Sequence, residues 1–588
     1  MLSFVLVGGL LTAVAGLAPG ANASPSNSPA NVVYTASTTP LQDLGPVNLT
    51  AVSAPAATAS PAFVLHAVAP DKVSLPNRPG AGIGAPLTAS PGNPFAIQSS
   101  HQQGVTGFPG ISGPQQATVN FGGDLEPPDQ GSCAGPDGHG KTIIGEIINN
   151  ALSFYTPSGT RVLPVTATFS LFLQPSTAFL SDPRCYYDSS THRWFFTEFN
   201  GGYPSTQFIA VSKTSDPLGN YEVFGIDTTD QSNTGGACPC FGDFDQIGAD
   251  ANGFYITTNE FSNVVANFTD GTVMYAISKW RLAWAADGFA SPIVQRYQIT
   301  GDAFDNGPGN QPYHISPAST PPGGGYAWDT EYFVESNSNQ ASDSHLIVYA
   351  LTDTHKLLFG GTPTLVGTEI TSEGYGYPGA APQAPGTLTL GPVATGLPPI
   401  PGLPYFNTTT PQGLQTDFPA VQQVTYTDGK LYGELDTTAG LPYFAPDMAA
   451  WFILSPKAND SGVSAQISNQ GYVSSSQNLM YPDIVVNGEG NGYMVFSLSG
   501  SAEYPSAAYV AFDGRSGPEG SINIAGAGAA NEDSFTCYLF DYGGCRWGDY
   551  SAGAVWNGTA YMMAEYVPSS TRDLFTNWGT FIFSAPTH

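Results

Sequence analysis

From about residue 116 to the C-terminus, apolar and polar positions alternate with a period of two. Runs such as Phe208-Ile209-Ala210-Val211-Ser212, Met274-Tyr275-Ala276-Ile277-Ser278, Leu346-Ile347-Val348-Tyr349-Ala350, Trp451-Phe452-Ile453-Leu454-Ser455 and Ala508-Tyr509-Val510-Ala511-Phe512 are divided by short turn-rich stretches. This is the signature of half-buried strands, and no stretch carries an amphipathic helix of normal length. Hairpins that open on an acidic or polar residue recur near Asp129, Asp182, Asp245, His314, Asp417, Asp483 and Asp549. Their spacing runs from 53 to 69 residues, apart from one gap of 103 that holds a Pro/Gly-rich insertion around Tyr375 to Pro404. Four antiparallel strands per repeat, in a fixed period, predict an all-β chain folded as a seven-bladed β-propeller. Six or eight blades stay open, because the first and fourth repeats match weakly. The final strand, Thr580 to Ser584, reads as the third of its blade. Ala117 to Phe121 is then expected to supply the fourth, joining the two ends of the fold and covering an exposed edge.

The clearest repeat runs from Asp245 to Phe261. Asn252-Gly253 signals a two-residue type I′ turn. Asp245 lies seven positions before Asn252 and Glu260 seven after Gly253. A symmetric hairpin would make these two carboxylates cross-strand neighbours.

The N-terminal part has a different texture. Leu2 to Leu17 is mostly apolar, and Ala21-Asn22-Ala23 has the form of a signal-peptidase site. Residues 1–23 are read as an export signal and 24–115, rich in Ala, Pro, Ser and Thr, as a leader or spacer without its own core. The propeller then spans 116–588. Six cysteines in an exported chain point to disulfides. Cys537 and Cys545 flank a short loop and are expected to pair, while Cys133 and Cys185 occupy matching points of successive repeats and could staple them. Cys238-Pro239-Cys240 is left over, either as a redox-sensitive kink or paired elsewhere.

Charge narrows the partners. A net charge of −30, with 16 Lys+Arg against 46 Asp+Glu, excludes the basic patch that nucleic acid requires and disfavours anionic membranes. In a ring of blades the opening acids converge on one mouth of a central funnel. Asp182, Asp245 and Asp549 are therefore candidate bases or nucleophiles, and Glu260 and Glu565 candidate acids, for glycoside hydrolysis. Alternatively, such acids cap strand ends or hold Ca²⁺. The few arginines that break the repeat, Arg184, Arg193 and Arg546, could orient a substrate, with Trp194 and Trp547 stacking on sugar faces. Each also has a structural reading: an intramolecular ion pair for the arginines, blade packing for the tryptophans. His314 reads as a satisfied polar residue or a general base.

Four stretches carry a resemblance: Pro127-Pro128-Asp129-Gln130-Gly131; Asp182-Pro183-Arg184-Cys185-Tyr186; Ile247-Gly248-Ala249-Asp250-Ala251-Asn252-Gly253-Phe254-Tyr255; and Arg546-Trp547-Gly548-Asp549-Tyr550-Ser551. In these the chain resembles a largely uncharacterised group of exported bacterial proteins over roughly 120–588. The resemblance implies export and a propeller-like body, and assigns no catalytic residue. The functional expectation is a secreted propeller that binds or hydrolyses an extracellular glycan at an acid-lined funnel. Its rival is a non-catalytic cell-surface binding module.

Overall fold

The computed structural model describes residues 31–53, 66–67, 92–98 and 104–587. Left out within the last span are 121–122, 124, 177, 179, 202–203, 232–237, 265–268, 290, 301–303, 305–310, 339–341, 388–389, 391–412, 417, 439–445, 539–543 and 570–574. The expected export signal and Asp417 lie outside the described residues.

The alternating runs form consecutive four-stranded antiparallel meanders. Unit 1 comprises Gly131–Pro136, Thr142–Ile148, Ala151–Tyr155 and Arg161–Ala167. Unit 2 comprises Leu180–Asp188, Arg193–Asn200, Thr206–Ser212 and Asn220–Asp227. Unit 3 comprises Cys240–Ala249, Gly253–Ser262, Thr269–Ser278 and Val294–Ile299. Unit 4 comprises Ser316–Ser319, Thr330–Ser336, Ser342–Thr352 and Thr364–Gly376. Unit 5 comprises Val421–Thr427, Lys430–Thr438, Asp447–Asn459 and Gly462–Val473. Unit 6 comprises Asn478–Val486, Gly492–Gly500, Glu503–Asp513 and Gly517–Gly526. Unit 7 comprises Ala552–Trp556, Thr559–Tyr566, Gly579–Pro586 and, from the other end of the chain, Thr106–Ser112.

Each unit buries its faces against the next. Phe195 of unit 2 stacks on Phe254 of unit 3 at 4.9 Å, within a shared apolar cluster. A separate cluster joins Ala134, Ile144 and Tyr155 of unit 1 to Met563 and Ile582 of unit 7. First and last units therefore pack like any other pair, and the sheets close into a β-propeller. The disulfide Cys133–Cys185 ties the inner strands of units 1 and 2. Cys537 bonds Cys545, and Cys238 bonds Cys240.

Two expectations change. The strand that completes unit 7 is Thr106–Ser112, inside the stretch read as a spacer. Residues 113–117 instead form a short helix. Ser112 and Gln115 form a capping box and Pro114 sits in the first turn, so the local signal is for a helix start rather than a strand. The leader also adds outer strands elsewhere: Val32–Tyr34 on unit 4, Ala36–Thr39 on unit 3, Leu41–Asn48 on unit 2 and Ile97–Gln98 on unit 6. Among the described residues, no helix is long and apolar enough to cross a membrane. The longest helix in that set is Lys279–Ala286, between the third and fourth strands of unit 3.

Candidate functional site

The first strand of every unit faces a common axis. A cavity of about 120 Å³ on that axis is lined from all seven: Ser132, Arg184, Gln246, Ser319, Gln422, Asp483 and Ala554 are examples. Inner strands run from the end where the acids gather to the end where the first hairpin turns back. These ends differ in character.

At the acid end the chain folds in a way the repeat alone did not reveal. Asp129, Asp182, Phe244, His314 and Tyr481 all adopt positive φ, between 46° and 63°. Asp and His tolerate this left-handed region, whereas Phe and Tyr reach it only under tertiary constraint. In units 2, 3 and 6 the residue marks a β-bulge, which re-aims the side chains that follow. Aligned on the bulge, Asp182 corresponds to Phe244 and Tyr481. Arg184, Gln246 and Asp483 then share one repeat position, two residues on, and all three line the axial cavity. Asp245 lies one position earlier than Asp483 in this frame.

The expected pairing of Asp245 with Glu260 is corrected. Asn252 and Gly253 do not take the positive φ of a type I′ turn. Asp250 accepts N–H bonds from both, at 2.8 and 2.6 Å, closing a longer turn in which Ala249 opposes Phe254. That displaces the register by two, the bulge displaces it by one more, and Glu260 comes to face Gly242. Asp245 Oδ2 instead accepts from Thr197 Oγ1 (3.1 Å) and Gln207 Nε2 (3.0 Å) of unit 2. Glu260 accepts from Thr258 Oγ1 at 3.1 Å and feels Arg296.

The acids are buried. Asp182, Asp245, Asp483 and Asp549 are each 2% exposed or less. Phe244, His314, Phe418 and Tyr550 form a layer over them, with ring centroids 4.4 to 6.2 Å apart. Above it, the Pro/Gly-rich insertion crosses from unit 4 toward unit 7. Ala381 and Leu414 exchange backbone hydrogen bonds, Gln415 N–H donates to Cys545 O, and Cys545 N–H donates to Gly413 O. An open acid-lined mouth is therefore absent at this end among the described residues.

Two guanidinium groups sit among the acids. Arg184 lies over the Tyr550 ring, 3.4 Å from its centroid, and donates Nε–H to Asp245 O at 2.9 Å. Arg546 pairs with Asp549 at 2.8 Å and donates to Gln415 Oε1 at 3.0 Å. Asp549 N–H donates to Asp129 Oδ1 at 3.0 Å, and Tyr550 O–H to Asp182 Oδ2 at 3.3 Å. Burial pushes Asp245 and Asp483 up to about 8, against the pull of Arg184. Asp182, raised to about 6 by burial and by the Asp549 charge, is held back by Arg184. Burial raises Asp549 as well, against the Arg546 pair. Near neutral pH, Asp182 is thus ionised beside Arg184, while Asp245 and Asp483 stay protonated. His314 is neutral, its pKa driven well below the usual range by burial and by Arg184.

The two arginines occupy the role a cation would have played. Among the described residues, the groups of three His, Cys, Asp or Glu that could hold an ion do not include the axial acids. Two other groups do gather. Glu126, Glu532 and Cys537 meet in the interior, but the Cys537 sulfur is committed to a disulfide. Asp329, Asp353 and His355 could hold an ion at the opposite face, although Lys356 already pairs with Asp353 at 2.5 Å.

The remaining sequence candidates disperse. Glu565 accepts Gly548 N–H at 2.6 Å, a strand-end cap like Glu198 on Asn150 N–H (3.1 Å) and Glu335 on Tyr313 N–H (2.9 Å). Arg193 sits at the far end of its hairpin, paired with Asp287 at 3.1 Å. Trp194 is buried between units 1 and 2, where Phe154 and Tyr187 pack on it. Trp547 is buried in the cluster under the cap.

Sequence reasoning missed the opposite face. Connections between first and second strands, and between third and fourth, emerge at this open end. All four exposed Trp and Phe side chains among the described residues lie there, in units 3 and 4: Trp284 (44%), Phe289 (84%), Trp328 (94%) and Phe359 (78%). Trp328 follows Pro321 and Pro322, which line the cavity. The usable signal was four aromatics off the alternating pattern: Trp284 and Phe359 in short helices, Phe289 just after the turn Gly288, and Trp328 shortly after Gly323-Gly324-Gly325.

No family model matches the chain, and no curated protein matches it. Solved structures with some likeness include the Dos1 propeller (6% identity, TM-score 0.32, 75% of each chain). The parainfluenza virus 5 hemagglutinin-neuraminidase ectodomain shows 9% identity and a TM-score of 0.29 over 67% of this chain and 80% of that one. Trypanosoma rangeli sialidase in complex with 2,3-difluorosialic acid gives 9% and 0.32, over 78% and 58%. Likeness this distant carries no argument about chemistry, and the fold rests on the strand pairings themselves.

Proposed function

We propose that this protein is an extracellular β-propeller that binds a glycan without cleaving it, using the open face rather than the acid end. The observation that carries this reading is the division of the ring. The acids that hydrolysis would need are buried under aromatic rings and a cap, while every exposed Trp and Phe described lies at the other end. Exposed aromatic rings can stack on the C–H faces of sugars, and Trp284, Phe289, Trp328 and Phe359 offer four of them on one face of units 3 and 4. Two basic residues nearby are held in ion pairs, Arg193 with Asp287 at 3.1 Å and Lys356 with Asp353 at 2.5 Å. Cations held this way suit an uncharged polymer better than an anionic one. Three disulfides fit an oxidising, extracellular setting. The test is retention on immobilised neutral polysaccharides alongside a hydrolysis screen from about pH 4 to about pH 8. Trp328→Ala and Phe289→Ala should lose retention. Release of reducing ends, abolished by Asp245→Asn, would overturn the non-catalytic reading.

A further inference from the structure

The axial cavity has a property that a packing channel does not require. Five buried side chains from five different units line it, and each carries a polar atom without a hydrogen-bond partner. They are Ser132 Oγ, Arg184 Nη2, Gln246 Nε2, both amide atoms of Gln422, and Asp483 Oδ2. All five residues are at least nine-tenths buried, at 1 to 6% exposed. An unmatched buried polar group costs about 1–3 kcal/mol, so five around one space mark a built site. The space, about 120 Å³, far exceeds the roughly 10–15 Å³ that one water needs.

We propose that this cavity holds one small neutral polyhydroxyl molecule, a single sugar residue or polyol, entering from the open face. The ligand class follows from charge and from hydrogen-bond sense. Arg184 at the wall repels a cation. Asp182, ionised near neutral pH, offsets that charge, and Asp245 and Asp483 are protonated there, so an anion finds no free positive charge. What remains is neutral. Arg184, Gln246 and the Gln422 amide nitrogen donate, whereas Gln422 Oε1 accepts, and Ser132 and Asp483 can do either. Hydroxyl groups, each donor and acceptor, match such a mixed ring better than a carbonyl-rich or apolar ligand. Gly553 and Ala554, half-buried, line the cavity together with Pro321 and Pro322 of the open-face connection in unit 4. The sugar class rests on the glycan reading above. The site itself rests only on the cavity.

The experiment is calorimetric titration of the whole protein with glucose, galactose, mannose, N-acetylglucosamine and glycerol, against glucuronate and citrate. At least one neutral compound should bind. Gln422→Leu and Gln246→Leu should each weaken it about ten-fold, the worth of one buried hydrogen bond. Trp328→Ala should change it less than about two-fold while abolishing retention on polymer. Circular dichroism confirms folding of each variant, and Ser132→Ala replaces any that does not fold. Binding of no neutral compound, tighter binding of the anions, or unchanged binding in folded Leu variants overturns the inference. Polymer retention without small-sugar binding would sink the cavity site and leave the surface reading intact; small-sugar binding without retention would do the reverse.

Discussion

The folded chain should lose stability as pH rises, the opposite of proteins whose acids are paired at the surface. Burial holds Asp245 and Asp483 at about 8, Glu260 at about 8 and Asp447 at about 7, against ordinary values of 3.8 or 4.5. Below about pH 4 both the folded and unfolded states carry these protons, and no penalty exists. Above that, the unfolded chain ionises first while the native state keeps its protons. Stability then falls with pH until the folded values are passed, near pH 7 to 8. Each proton held only by the native state contributes a slope of about 1.4 kcal/mol per pH unit. Those four protons alone would give about 5–6 kcal/mol per unit between about pH 5 and about pH 7 if each stayed fully bound; water entering with the charge lowers it. One surviving proton still gives about 1.4 kcal/mol per unit. Growing self-repulsion at a net charge of −30 acts in the same direction. The assay is urea unfolding from about pH 4.5 to about pH 7.5, in wild type and in Asp245→Asn. The variant removes one titration, so its slope should be shallower by about one proton, and it should be the more stable protein only at the alkaline end. Flat or rising stability through this window, or an unchanged slope in the variant, would refute the account.

Other outcomes follow from the same contacts. Lys279→Met leaves Asp188, its partner at 2.9 Å and fully buried, as an unpaired charge; we expect a loss of about 3–5 kcal/mol near neutral pH, partly restored by adding Asp188→Asn, by denaturant melts. Burial alone would raise Asp188, but the Lys279 ammonium outweighs it and holds the carboxyl low, so this contribution persists above the ordinary carboxylate range and fades in acid. Arg184→Met should destabilise by several kcal/mol above about pH 6, where Asp182 ionises, and by less near pH 4.5. Replacing Cys133 and Cys185 by Ala should cost about 2–4 kcal/mol in the same melts. Trp328→Ala should stay within about 0.5 kcal/mol of wild type, since its side chain is 94% exposed.

Strand identity was legible because period-two alternation depends only on which face is buried. Phe208 to Ser212 and Trp451 to Ser455 form strands where the pattern placed them. The pairs Cys133–Cys185 and Cys537–Cys545 were likewise legible, from matching repeat positions and a short loop. Register was not. The Asn252-Gly253 signal was outcompeted by Asp250, whose side chain gathers both N–H groups into another turn. The bulge at Phe244 was invisible because its positive φ belongs to a bulky residue that local preference would exclude. The site suffered most from these shifts: aligning Asp182 with Asp245 and Asp483 suggested one ring of acids, whereas the bulge puts Arg184, Gln246 and Asp483 in register. Nor could composition show that the insertion folds back over the acids, since that depends on contacts between Leu414 and Cys545, 131 residues apart.

The strands that residues 32–48 add to units 4, 3 and 2 run round the circumference against the order of the chain. Three neighbouring blades are thereby belted by one short ribbon. The ribbon is held by main-chain pairing and by a few side chains, chiefly Val47 and Leu49 in the core of units 1 and 2 and Tyr34 against Tyr349. Its departure would bare three adjacent sheet edges at once, converting a self-contained disc into one primed to recruit a strand from another molecule.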